Sequence, residues 1–228
     1  MNARPDTLLV RAHAPARQAG FWADLLGWER DGLHVRPTDG CALRLRFEHT
    51  DAPKVGLNQA HLHLTGDAVP QDTTVARALE LGATHVDVGQ LPEEDHVVLA
   101  DPDGNEFCVI PGGNRWLAGT GFLGELGCDG TREVGLFWSA ATGWPLVWDE
   151  DGETAIQPPE GGIKIAWGGP PLGPRQPENR FVLELAAADP GAEAEQLVGL
   201  GAGIVGRHEG VVVLTDPDGN ELRVVADR

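Results

Sequence analysis

The sequence predicts an α+β protein made of two tandem copies of one fold, on three observations. Residues 99–110, LADPDGNEFCVI, return as residues 214–225, LTDPDGNELRVV, shifted by 115 positions. Phe21, Trp22, Gly27 and Trp28 are answered by Phe137, Trp138, Gly143 and Trp144 at an offset of 116. Each half also divides into a β-α-β-β run and a β-α-β-β-β run, so the duplication is itself duplicated. A repeat near half the chain length means two copies of one domain, here expected as residues 1–112 and 121–228 with a Gly-rich link at 113–120.

In the first half a strand at 7–12 precedes a helix that opens at Pro15. Phe21, Trp22, Leu25 and Leu26 give this helix an apolar stripe, and Gly27 ends it. Strands at 33–36 and 42–48 follow, then a loop at 50–57. Residues 61–65, HLHLT, alternate as a strand does. Asp72 is placed to cap a helix running to Leu81, with Gly82 behind it. Strand, DPDGN turn and strand then close the half. In that turn Pro fixes φ, and Gly and Asn accept positive φ. The second half repeats the plan with strands at 154–157, 162–167 and 181–186, a Pro/Gly-rich loop at 168–177, and a helix opened by Asp189-Pro190.

A chain of 228 residues suits two domains of this size. Its formal charge of −18 argues against nucleic acid or an anionic membrane as partner, since both need clustered Lys and Arg. Cys41, Cys108 and Cys128 are an odd number without CxxC spacing, which indicates neither a disulfide framework nor a zinc knuckle. Neither a signal-peptide pattern nor a membrane-spanning run is evident, and the cytoplasm is the expected location. Phosphate-loop and EF-hand spacings are absent.

FWADLLGW, HLHLT, LGA and DPDGNEFCVI together resemble the vicinal oxygen chelate superfamily of glyoxalases, bleomycin-resistance proteins and extradiol dioxygenases, and within it the glyoxalase-like domain group. The resemblance covers nearly the whole chain. It implies paired βαβββ modules whose mixed sheet curls around a cavity, with helices outside. One fold hosts many chemistries, so function rests on the site residues.

Strand alternation predicts which side chains face such a cavity. Leu43, Leu45 and Phe47 share one face, leaving Arg44 and Arg46 on the other. By the same parity His61, His63, Glu106 and Cys108 face inward, and the first domain is expected to gather all six polar groups in one hollow. The second domain offers Lys164, Ala166, Val182, Glu184, Glu221 and Arg223. Trp28, Trp144, Trp148 and Trp167 either wall these cavities or pack in the core.

The resemblance implies metal ligands, His or Glu, at the start of each module's first strand and the end of its last. His61 alone is an ordinary match; Cys108 stands where a Glu is usual, and Val182 and Arg223 replace ligands in the second domain. Arg44 or Arg46 in the same hollow would oppose a cation. The expectation is therefore no metal, with a divalent ion on His61, His63, Glu106 and Cys108 as the alternative. Glu125 is a solitary further ligand for the second domain. Cys108 beside His61 is also a candidate thiolate, against the ordinary reading of an inert buried thiol. The remaining histidines, His13, His34, His49, His85, His96 and His208, read as surface residues.

Three functions follow. The first is a metal-free protein that binds a small organic molecule, aromatic or cationic, through Arg44, Arg46, His63, Cys108 and Trp28, with Glu184 and Arg223 in the second domain; sequestration as in bleomycin resistance is one use. The second is a lyase, isomerase or dioxygenase with His61 and Glu106 catalytic, or with a metal. The third is a scaffold with degenerate sites. In each case the halves pair within a monomer, or two chains form a homodimer.

Overall fold

A computed structural model describes residues 3–91, 93–169, 172–174 and 177–227. Part of the expected loop at 168–177 and the first two residues lie outside the described residues.

Four βαβββ units follow one another. The first comprises β1 (Arg4–Ala12), α1 (Pro15–Leu26), β2 (Glu29–Asp31), β3 (His34–Arg36) and β4 (Arg44–His49). The second comprises β5 (Ala60–Thr65), α2 (Gln71–Glu80), β6 (Thr84–His85), β7 (Val97–Ala100) and β8 (Glu106–Ile110). The third holds β9 (Thr120–Cys128), α3 (Arg132–Thr142), β10 (Leu146–Glu150), β11 (Glu153–Ile156) and β12 (Gly162–Trp167). The fourth holds β13 (Phe181–Ala187), α4 (Pro190–Gly199), β14 (Gly203–His208), β15 (Val211–Thr215) and β16 (Glu221–Ala226). β2 and β10 are absent from the sequence reading because they are largely exposed edge strands without apolar alternation. Gly27 ends α1 at φ 69° and Asp189 caps α4, accepting from the Gly191 and Ala192 amides, as expected. Asp72 is not the cap of α2: Pro70 holds that position and Asp72 sits in the first turn, where its charge still meets the positive end of the helix dipole.

The strands form two eight-stranded mixed sheets. One runs β14-β15-β16-β13-β1-β4-β3-β2, the other β10-β11-β12-β9-β5-β8-β7-β6. The first sheet therefore joins units one and four, and the second joins units two and three. β1 lies antiparallel to β13, with Thr7 opposite Glu184, and β5 lies antiparallel to β9, with His63 opposite Glu125.

The helices sit on the faces opposite the hollows and share one core. Phe21 and Trp22 of α1 meet Phe107 of β8 edge-on, with ring centroids 6.0 and 5.2 Å apart. The repeated motifs explain each other here. Trp22 Nε1 donates to Asp101 Oδ2 at 3.2 Å, and Trp138 Nε1 donates to Asp216 Oδ2 at 3.3 Å. Gln18 and the Asn105 amide add further bonds to Asp101, whose carboxyl is pushed up by burial against these donors. The turn's other acid anchors the approach to the helix: Asp103 accepts from the His13 amide, and Asp218 from the Thr131 amide and hydroxyl. Within each half, then, helix and DPDGN turn clamp two units together, while the sheets form across halves. No described helix is long and apolar enough to cross a membrane.

Candidate functional site

Pairing across halves divides the six groups expected in one hollow. Arg44 and Arg46, on β4, face the concave side of the first sheet with Glu184 of β13 and Arg223 of β16. There they form a chain of ion pairs. Arg46 grips Glu184 through Nη2 at 2.6 Å and Nε at 3.2 Å, and Arg223 reaches Glu48 at 3.1 Å and Glu221 at 3.0 Å. Arg44 pairs with Asp6 at 2.5 Å. Arg223 holds the Glu48 carboxyl below its ordinary range against the opposing effect of burial. His34, read as a surface residue, lines this same cavity of about 420 Å³. Trp28 is not a wall: it is buried in the core with its indole N–H on Asp39. Trp144 is a core residue too; Trp167 is buried and stacked on Trp138 but also lines the cavity that holds His63.

His61, His63, Glu106 and Cys108 belong to the second sheet. Alternation on β5 aims both imidazoles at its hollow, and the parallel neighbour β8 sets Cys108 directly opposite His63. From the other side, β9 brings Glu125 opposite His63 and Gly127 opposite His61. A Cβ at Gly127 would stand 3.4 Å from the His63 ring, an ordinary contact distance.

A chain of hydrogen bonds results. Glu125 Oε2 meets His63 Nδ1 at 2.7 Å, and His63 Nε2 meets His61 Nε2 at 2.8 Å. Glu125 Oε1 accepts from the Trp116 indole at 2.8 Å. The Trp116 carbonyl accepts from Lys164, whose ammonium also lies 5.1 Å from the Trp116 ring centroid. Burial lowers the His63 pKa, but bonds to Cys108 and to the Glu125 carboxylate outweigh it and lift the ring to about 10. His61 falls to about 3, through burial and the charge on His63. The pair is thus an imidazolium donating to a neutral imidazole. Glu125 is held low by the same bond despite its burial.

Glu106, expected to be catalytic, faces the hollow but is already engaged: Oε1 lies 2.5 Å from Lys54 Nζ, and Oε2 accepts from the Asn58 amide at 3.2 Å. It ties down the segment 54–58. The residues that sequence reasoning missed are Trp116, on the connector it treated as a link, and Glu125, which it placed alone in the other domain. Only knowledge that β9 pairs with β5 finds them.

His61, His63 and Cys108 offer ligand atoms within 4.8 Å of one another, a donor set suited to zinc or another soft divalent ion. Glu125 stands behind His63 as a carboxylate orienting a metal-bound imidazole does. Arg44 and Arg46 lie in the other sheet, so their charge does not argue against a cation here.

Two cavities meet at this cluster, both lined by His61 and Asp129. One, of about 410 Å³, runs past His63, Glu125 and Trp116; the other, of about 690 Å³, runs past Cys108, Glu106, His96 and the segment 55–58. His96 is therefore half-buried beside His61 rather than on the open surface.

The glyoxalase-like domain model matches the chain twice, over residues 7–110 and 125–225. Glyoxalase I from Zea mays shares 15% sequence identity and a TM-score of 0.63, with 98% of this chain and 92% of that one covered. A single-residue mutant of the same maize enzyme gives 18% identity and 0.63, with the same coverage. A candidate dioxygenase from Bacillus subtilis gives 13% identity and 0.63 over 99% of this chain and 86% of its own. Likeness at this identity shows the fold. No curated protein matches the sequence.

Proposed function

The chain belongs to the glyoxalase-like domain family, and on that footing we propose that the hollow of the second sheet binds a small organic molecule without a metal, using His63 as a charged donor and His61 as a neutral acceptor. The observation that carries this reading is the Glu125–His63–His61 chain, in which Glu125 fixes the orientation and charge of His63. A ligand oxygen that takes the place of the His61 nitrogen receives the His63 proton donor, held ready by a buried carboxylate. His61, then released, accepts from a ligand hydroxyl or amine. Trp116 supplies an apolar wall whose position is set by Glu125 and Lys164. Carboxylates of Asp129 and Glu153 line the same cavity and favour a cationic over an anionic ligand.

A second reading rests on the His61, His63 and Cys108 donors. If they hold zinc, the metal supplies a Lewis acid to polarise a ligand oxygen, while Glu125 keeps His63 oriented and Trp116 limits water on one side. It requires the His61–His63 bond to open, since both Nε2 atoms are committed to each other.

One experiment separates the two. Chelator-treated protein is titrated with a panel of aromatic and cationic compounds, following tryptophan fluorescence, beside Trp116→Phe and His61→Ala. Binding that needs no metal and is weakened by His61→Ala supports the first reading. Binding that appears only after stoichiometric zinc is restored, and is lost in Cys108→Ser, supports the second. Silence under both conditions overturns both.

A further inference from the structure

The larger cavity, on the Cys108 side of His61, differs in chemistry from the one beside Trp116. Val55, Leu57, Val88 and Pro174 supply its walls. Lys54 and Glu106 satisfy each other, with Lys54 also on the Gly56 carbonyl, so the carboxylate left on its lining is Asp129, at the end shared with the other cavity. Large apolar side chains are also exposed on the three loops that frame it. Val55 and Leu57, in its lining, are each 53% exposed; Leu91 and Leu172, 58% and 42% exposed, lie on the same loops outside that lining. Such a concentration of exposed hydrophobics next to a cavity marks a ligand-binding surface. The two cavities adjoin at His61 and Asp129, which line both.

We infer that this cavity takes the alkyl or aryl portion of an amphiphilic small molecule whose polar end lies against His61 and His63. The inference rests on the preceding reading of the histidine pair and adds the chemical class of its ligand. Leu57 and Val88 then set chain-length preference, and Glu106 is a positioning residue that holds the 54–58 wall through Lys54 and the Asn58 amide. Burial of a methylene in such a wall is worth about 0.8 kcal/mol, or roughly three- to fourfold in affinity.

The test uses the full chain and the primary alcohols from butan-1-ol to octan-1-ol, with the His61 and His96 ring resonances followed by NMR. Affinity is expected to rise about three- to fourfold with each added methylene, with His96 shifting more for the longer members. Leu57→Asp, at an exposed loop position, and Val88→Asp are both expected to flatten that dependence while short alcohols still perturb His61. A native protein that binds butan-1-ol at His61 with no gain on lengthening overturns the amphiphile and leaves the histidine site standing. So does a dependence that both variants leave intact. If no alcohol moves the His61 resonance, this inference fails, and it fails together with the site reading if the fluorescence panel is silent too.

Discussion

Arg46 of β4 and Glu184 of β13, separated by 138 residues, are joined by two hydrogen bonds of 2.6 and 3.2 Å. Their contact marks how the four units assemble: unit one completes its sheet with unit four, not with its sequence neighbour. The Glu184 side chain is only 5% exposed, so the carboxylate depends on its guanidinium partner. The two hollows of one repeated fold have diverged accordingly, one lined by paired charges and the other by imidazoles.

Arg46→Ala leaves Glu184 buried with only a distant guanidinium, Arg223 at 3.9 Å. Removing one member of a buried pair costs about 3 kcal/mol. Urea unfolding should show that loss, and Arg46→Lys a smaller one because a single ammonium cannot make the bidentate contact. Ligand binding at His61 should be unchanged in the folded variant.

Asp101→Ala strips the acceptor from Trp22, Gln18 and the Asn105 amide at once. Buried donors left unpaired cost about 1–3 kcal/mol each, with partial relaxation, so a total loss of about 3 kcal/mol is expected in chemical denaturation. Asp101→Asn, which keeps an acceptor oxygen, should lose less. Asp216→Ala should behave alike in the second half, through Trp138.

The histidine pair gives stability two opposite pH slopes. His63, raised to about 10, contributes stability that is complete below its unfolded pKa of ~6.5 and drains away as pH climbs toward 10. His61, lowered to about 3, refuses a proton that the unfolded chain accepts, so stability also falls as pH drops from ~6.5 toward 3. Their joint contribution peaks near neutrality. NMR titration of the ring protons checks both directions; a His63 ring that deprotonates near pH 6 contradicts the assignment.

Glu125→Gln removes the carboxylate that, together with Cys108, holds His63 charged. The His63 pKa should drop, and because the amide offers one oxygen where the carboxylate offered two, either His63 or the Trp116 indole loses its acceptor. Ligands that accept from His63 should bind at least tenfold more weakly in the variant at neutral pH, since charge-assisted bonds are about twice as strong as neutral ones.

Much of this protein is written locally. The DPDGN turn, the Asp189-Pro190 helix start, the Gly27 stop and the facing of His61, His63, Glu106 and Cys108 all follow from residues a few positions apart, because turn chemistry and the two-residue strand period are local properties. Neighbour identity is not. Nothing in the sequence of β1 or of β5 states that β1 will meet β13 while β5 meets β9. That choice is tertiary: Trp22 on Asp101 and Trp138 on Asp216 hold the two units within each half together, while each sheet closes across the halves. It moved Arg44 and Arg46 away from the histidines, gave His63 its carboxylate in Glu125, and brought Trp116 from a supposed link into the wall of the site.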